Sequence, residues 1–288
     1  MEPPKEHELP GGIKLDKELG KGAFGNVYLG TYENSKDPVA IKVIAKDKFK
    51  GKIRTLAIKI KRELIPKTIL GCKNKNIICV RDAYENNNSV YIISDYIEGK
   101  NLYKYNWKHD DELIIRISIF KQLVDALIFM HNKYVYHRDI KPMNIILRND
   151  NIPIYIDFDN ACELANKITG CRGKVGTPNF LAPELFTDIS ISLVNWEKVD
   201  IYSLGATMFY VFNNKTPYEN RVLDTTPIVE GKNREIIQLE IDVKEGNRRH
   251  SDSGSGIIDD IIERMMSKDP KDRLSLELVK YELDESFI

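Results

Sequence analysis

The chain has 288 residues, enough for one large domain or two lobes sharing a cleft. Its 42% hydrophobic and 30% charged residues exclude a globally disordered polymer. Lys and Arg number 43 and Asp and Glu number 43, so there is no overall basic footprint, and a nucleic-acid partner is not expected. The balance is local, however. From Lys42 to Lys75 twelve basic residues face only Asp47 and Glu63. A solvated basic face or the docking of an acidic partner would account for that segment.

Cys72, Cys79, Cys162 and Cys171 show no C-x-x-C pairing and no metal-like spacing to histidine, so they are expected to be reduced and structural. Met1 to Lys5 lacks a cationic start followed by an apolar core, the pattern of a secretory signal. The longest mostly apolar stretch, Ile201 to Phe212, is interrupted by Ser203, Gly205 and Thr207 and is too short to span a bilayer. The expectation is a soluble intracellular protein, cytoplasmic or nuclear, with no membrane association.

Residues 1–12 carry prolines and paired glycines with few apolar side chains and are expected to form a loose tail. Ile13 to Leu19 and Gly25 to Tyr32 flank a glycine-rich turn. Val39 to Ile44 is a β-rich run, and the three predict an antiparallel meander. Val90 to Ser94 reads as a further strand, and the polar Asp95 to Asn101 as a connector between lobes. Beyond it, apolar residues recur at Ile117, Phe120, Leu123, Val124, Leu127 and Ile128, which lines one face of a helix from Ile114 to His131. Further helices are predicted over Val199 to Phe212, Gly256 to Met266 and Ser275 to Leu283. Arg248 to Gly256 has loop composition.

Gly20-Lys21-Gly22-Ala23-Phe24-Gly25-Asn26-Val27 is a G-x-G-x-x-G-x-V pattern, whose glycines let backbone approach phosphates that a Cβ would keep away. Alone it is a weak signal, shared with hairpin turns and dinucleotide folds. A dinucleotide site needs a helix after the glycines, whereas here a second strand follows. Lys42 ends an apolar run, where an ammonium needs anions beside it. A nucleotide phosphate is one candidate and a carboxylate the other, and the only glutamate between Lys42 and Tyr84 is Glu63. Pro66, three residues on, predicts that the helix carrying Glu63 kinks or ends there, and an arrangement with Glu63 swung out is conceivable.

His137-Arg138-Asp139-Ile140-Lys141-Pro142-Met143-Asn144 is followed thirteen residues later by Asp157-Phe158-Asp159. The stretch offers a base for a hydroxyl, a counter-charge for a phosphate and two oxygen ligands for magnesium. With the glycine loop, Lys42, Ala182-Pro183-Glu184, Asp200 at the head of a helix and Arg273 after Asp269-Pro270, the ordered set from Leu19 to Arg273 resembles a eukaryotic-type protein kinase.

That resemblance implies an α+β fold with two lobes: a small antiparallel sheet with one main helix at about 13–94, a hinge at about 95–101 and a larger, mainly helical lobe at about 102–288. It implies ATP and Mg2+ as cofactors. Asp139 would be the catalytic base, with Asn144 and Asp157 as metal ligands and Lys141 neutralising the transferred phosphoryl group. Thr177 would bridge Asp139 and Lys141. Leu19, Gly20, Gly22, Gly25, Val27, Ala40, Lys42 and Glu63 would contact the nucleotide from the first lobe. Ser94, ending the strand before the hinge, and Asp95 and Ile97 in the hinge would do so too, as would Ile146, Ile156 and Asp157 from the second lobe. Glu184 and Arg273 would form a buried ion pair, and His137 and Phe158 are read as core. Lys141 and Gly176-Thr177-Pro178 resemble the serine/threonine branch, and Ala182-Pro183-Glu184 favours a protein substrate.

Departures from the pattern bear on function. Asp159 stands where the family has glycine, and with Pro66 it motivates the alternative of a pseudokinase or scaffold that binds nucleotide with little turnover. Ser94 falls at the gatekeeper position, where it would open a cavity or fill a tight core. Arg138 resembles the arginine that receives an activation-loop phosphate, yet the common acceptor position is Gly173, with Thr169 as a fallback. Asn101 and Met143 replace the acidic residues with which basophilic kinases hold substrate arginines.

Overall fold

The computed structural model describes residues 12–22, 25–32, 37–105, 107, 113–164, 166, 170–218, 239 and 242–287. The tail, Ala23 and Phe24 of the glycine loop, and Thr169 lie outside the described residues. The chain divides into two compact units, Met1–Glu98 and Gly99–Ile288.

In the first unit, β1 (Ile13–Lys21), β2 (Gly25–Tyr32), β3 (Pro38–Ala45), β4 (Val80–Glu85) and β5 (Ser89–Asp95) form an antiparallel sheet in the order β1-β2-β3-β5-β4. The expected meander therefore runs through three strands, and β5 then inserts between β3 and β4. Strand β3 shows why these residues make a sheet. Alternate side chains Val39, Ile41 and Val43 are buried with Ile13, Tyr28, Tyr91 and Ile93, while Ala40 and Lys42 on the other side stay half-buried. Each aliphatic side chain so buried contributes about 1.5–3 kcal/mol. A second cluster of Ile44, Phe49, Val80, Val90 and Ile92 receives Leu56, Ile60 and Leu64 from the helical side.

Helix α1 (Ile53–Glu63) ends at Glu63, and α2 (Ile65–Thr68) restarts two residues later with Pro66 in its first turn. The break falls where Pro66 predicted it. A proline is tolerated in a first turn because its missing N–H would find no helical partner there.

The second unit is built on two buried helices. Helix α3 (Leu113–His131) buries Ile119, Ala126 and Met130 as well as the predicted stripe except Ile128, which is half-buried, so it is enclosed on more than one face. Helix α4 (Trp196–Asn213) begins three residues before the predicted start, because the Asn195 side chain caps it by accepting from the Lys198 N–H at 3.2 Å. Its buried positions include Asp200, Ser203 and Thr207. Helices α5 (Gly256–Met265) and α6 (Leu276–Ser286) follow, the latter capped by Ser275. Short strands complete the unit: β6 (Gly99–Asn101), β8 (Ile145–Arg148) and β9 (Pro153–Tyr155) pair in the order β6-β8-β9, and β7 (Val135–Tyr136) pairs with β10 (Cys162–Glu163). The segment Arg248 to Ser255 has no helix or strand, as its composition predicts, but it is tied down. Arg249 N–H donates to Pro217 O, and Ser251 N–H donates to Glu263.

The cysteines correct a sequence-based expectation. All four are paired, Cys72 with Cys79 and Cys162 with Cys171. Intervals of seven and nine residues match no short redox or metal spacing, but turns bring the Cα atoms to 4.9 and 5.1 Å, within reach of a disulfide. Among the described residues no helix is long and apolar enough to cross a membrane.

Candidate active site

In the first unit, strand register sets one face of the sheet. Val27 lies opposite Lys42, Leu29 opposite Ala40, and Ala40 opposite Ser94, and all five are half-buried while their alternates fill the core. Ser94 Oγ donates to Ala40 O at 3.4 Å. Leu19 is 38% exposed at the end of β1, where the β1–β2 register shifts between Glu18 and Gly20. Gly22 N–H donates to Gly25 O at 2.8 Å and closes the turn. At Gly25 a Cβ would drive into the Val43 carbonyl, so only glycine allows β2 to lie this close to β3 at the turn.

Lys42 Nζ is ion-paired with Glu63, which is 6% exposed at the end of α1. The swung-out arrangement that Pro66 left open is therefore not the one observed. Ending α1 at Glu63 still leaves the carboxylate pointing at β3.

In the second unit, Asp139, Lys141, Asn144 and Thr177 come together, all buried. Thr177 Oγ1 donates to Asp139 Oδ1 at 2.7 Å and accepts from Lys141 Nζ at 2.7 Å. Lys141 Nζ lies 3.2 Å from Asp139 Oδ2. Asn144 Nδ2 donates to Asp139 O at 2.9 Å and to Oδ2 at 3.1 Å. Because its amide nitrogen is turned to Asp139, Asn144 presents its amide oxygen the other way. That oxygen and the Asp157 carboxylate are hard donors of the kind magnesium takes, so the residues present fit such an ion. Asp157 has φ 62° and Ile156 N–H donates to Asn144 O at 2.9 Å, which joins the two candidate ligands through the backbone. Ile146, on β8, is half-buried, as is Ile156.

Beneath this loop sits Asp200, fully buried in α4. It accepts from His137 N and Arg138 N at 2.8 Å each, and from His131 Nε2 at 3.0 Å. A buried carboxylate is tolerated when charge-assisted hydrogen bonds replace its water. His137 then has a defined tautomer. Its Nδ1 accepts from Asp139 N–H at 3.4 Å, so Nε2 carries the proton and donates to Ile156 O at 3.1 Å. The His137 ring packs against Phe158 with centroids 5.0 Å apart, in agreement with the core reading of both.

The segment around and after Thr177 is fixed at two places. Gly176 has φ 134°, and a Cβ there would meet Leu181 Cδ1 at 2.6 Å and Arg138 O at 3.1 Å. Glu184 and Arg273 form the expected pair, bidentate at 2.9 and 2.7 Å and buried. Arg273 also donates to the carbonyls of Ser267, Lys198 and Lys268.

Sequence reasoning had placed Asp200 without its role and had missed His131, which closes α3 and looked like a helix terminus. It also left open what Arg138 meets. Arg138 donates from Nε to Asn160 O at 2.8 Å and from both terminal nitrogens to Arg172 O at 3.2 Å, and its guanidinium stacks 4.6 Å from the Trp196 ring.

Comparison with known proteins assigns the class. The family described as Protein kinase domain matches residues 13–283. The chain belongs to the protein kinase family, and its fold is the α+β bilobal kinase fold. It is 34% identical over 280 residues to a serine/threonine-protein kinase of Acanthamoeba polyphaga mimivirus, covering 94% of this chain and 92% of that one. It is 29% identical over 295 residues to serine/threonine-protein kinase ssp1 of Schizosaccharomyces pombe, and 27% identical over 271 residues to CBL-interacting protein kinase 14 of Oryza sativa subsp. japonica. The match covers 93% of this chain in both cases, but only 41% and 57% of those two relatives. The chain is a serine/threonine protein kinase that transfers a phosphoryl group to serine and threonine hydroxyls, and the pseudokinase alternative is disfavoured.

Proposed function

We propose that the phosphoryl donor is ATP with Mg2+, that the acceptor is a protein hydroxyl, and that Asp139, Lys141, Asn144, Asp157 and Thr177 carry the transfer. The observation that supports this reading best is the Lys141–Thr177–Asp139 chain of 2.7 Å hydrogen bonds. A carboxylate has about four lone-pair sites. With Thr177 on one oxygen and Asn144 and Lys141 on the other, Asp139 keeps capacity for a substrate hydroxyl, whose proton it would orient and accept. Lys141 would offset charge on the transferred group. Magnesium, held by Asn144 and Asp157, would supply charge neutralisation at the nucleotide phosphates.

On the nucleotide side, Lys42 held by Glu63 would meet the phosphates, and Gly20, Gly22 and Gly25 would bring backbone N–H groups to them. Leu19, Val27, Ala40, Ser94, Asp95, Ile97, Ile146 and Ile156 would contact the base and sugar. The same reading sets the first lobe at about 13–94, the hinge at 95–101 and the second lobe at 102–288, supported by the division of the chain at Glu98. An acidic partner at the 42–75 segment is supported by exposed Lys48, Lys50, Lys52, Arg54 and Lys61 along α1 and the turn before it. An intracellular setting follows from the need for ATP. With Asn101 and Met143 in place of carboxylates, no preference for an upstream arginine is expected. Transfer of labelled phosphate from ATP to a mixed protein substrate, with Asp139→Ala as control, tests the reading. Equal transfer by both proteins would remove Asp139 from its role.

A further inference from the structure

The Cys162–Cys171 disulfide lies where it can govern the kinase. Cys162 sits on β10, which is fixed to β7: Cys162 pairs with Tyr136, Glu163 with Val135, and Leu164 N–H donates to Tyr134 O at 3.0 Å. Its side chain is fully buried. Cys171 belongs to no helix or strand and is half-buried. The bond therefore ties an irregular stretch to a rigid one.

The residue after Cys171 is Arg172, whose carbonyl receives both terminal nitrogens of Arg138. Arg138 also grips Asn160 O, two residues before Cys162. The disulfide and the guanidinium are thus two parallel ties across the same gap, one from 162 to 171 and one from 160 to 172. Arg138, at φ 63°, is the backbone link between His137 and Asp139, and its carbonyl lies against Gly176, the residue before Thr177. A shift of the 170–172 backbone would therefore act on both Asp139 and Thr177.

We propose that Cys162–Cys171 is a reversible thiol–disulfide modification site: oxidised, it holds Arg172 on Arg138 and keeps Asp139 and Thr177 aligned, and a dithiol reductant releases that hold. The exchange balances. One thiolate of the dithiol attacks the Cys171 sulfur, the Cys162–Cys171 bond breaks, and Cys162 leaves as a thiolate that takes a proton from water. The second thiol of the reductant resolves the mixed disulfide and frees Cys171. The protein gains two electrons and two protons, and the reductant ends as its cyclic disulfide. A bridge that forms and opens in this way is also how a disulfide exists in a compartment that keeps most thiols reduced. Cys72–Cys79 belongs to the first unit, whereas Cys162–Cys171 and the Asp139 loop belong to the second, which makes it the internal control.

The test uses the full chain, assayed as purified, after dithiothreitol, and after removal of dithiothreitol and re-oxidation with oxidised glutathione. Reduction should lower kcat by about tenfold with the KM for ATP little changed, since alignment rather than nucleotide affinity is lost. Re-oxidation should restore it. The Cys72→Ser/Cys79→Ser protein should respond in the same way. The Cys162→Ala/Cys171→Ala protein should match the reduced wild type and ignore the reductant. If that double variant fails to fold, the Cys72→Ser/Cys79→Ser arm decides alone, because it has no other disulfide to reduce. A kcat indifferent to reductant, or a response that disappears when Cys72 and Cys79 are replaced, would overturn the proposal.

Discussion

Thr177 and Asp139 stand 38 positions apart in sequence and 2.7 Å apart in space. The hydroxyl donates to one carboxylate oxygen and accepts from Lys141, so one side chain sets the spacing of the other two. A hydrogen bond to a charged group contributes about 1.5–3 kcal/mol. Thr177→Val, which keeps the shape and removes the hydroxyl, should therefore lower kcat by about 10- to 100-fold. Thr177→Ser should keep most of it. Steady-state kinetics on a peptide substrate checks both, and equal kcat for the valine variant and the wild type would exclude the bridging role.

The Glu184–Arg273 pair acts on stability. Both side chains are buried, and Arg273 satisfies three carbonyls besides the carboxylate. Removing one partner strands the other charge away from water, a loss of about 3–5 kcal/mol. Arg273→Met should lose that much in urea unfolding. A loss below about 1 kcal/mol would show that the site re-solvates.

These two pairs differ in how far the sequence revealed them. Resemblance placed Glu184, Arg273, Asp139 and Thr177 because each has a residue identity to recognise. The apolar pattern marks β1, β2, β3, β5 and α3 to α6, although α4 buries Asp200, Ser203 and Thr207 as well. It missed β4, Val-Arg-Asp-Ala-Tyr-Glu, where polar residues break the alternation and pairing with β5 decides the strand. It reached α1 only through Glu63. The partners of Arg138 were not legible at all, since the acceptors are the main-chain carbonyls of Asn160 and Arg172 and any residue offers one. Nor were the disulfides, because turn geometry and not spacing brings those sulfurs together.

Glu263 gives a pH dependence. Burial pushes its carboxyl up, but the hydrogen bond from Arg248, the Ser251 N–H and the charges of Arg248 and His250 outweigh burial and hold it below the ordinary value of 4.5. A carboxyl lowered on folding stabilises the fold above its unfolded pKa, and that contribution is lost as pH falls through the folded one. The Tm difference between wild type and Glu263→Gln should be constant near neutrality and shrink as pH drops below about 4.5. A difference independent of pH would detach Glu263 from its partners.

Ser94 tests the nucleotide side. Its hydroxyl turns to Ala40 O along the strand pair, so the side chain adds little bulk to the half-buried face it shares with Val27 and Ala40. ATP analogues with bulky N6 substituents should be turned over by the wild type. Ser94→Phe should lose them and keep ATP. An unmodified enzyme that rejects such analogues would show that neighbouring side chains fill the space.

Asp159 replaces a glycine beside a candidate metal ligand, yet the backbone here does not demand one. Asp157 is left-handed at φ 62°, whereas Asp159 is not among the residues with positive φ. The observed loop therefore accommodates a side chain at 159. The difference falls on alternative loop states in which 159 would turn left-handed, a conformation that costs an L-residue about 1–2 kcal/mol more than glycine. Inhibitors that require the flipped Asp157-Phe158-Asp159 loop should bind the wild type about tenfold more weakly than Asp159→Gly. Inhibitors of the unflipped loop should bind both alike. Equal affinities for the first class would show that the loop flips without using a glycine-only conformation at 159, and the substitution would then bear on the charge beside Asp157 alone.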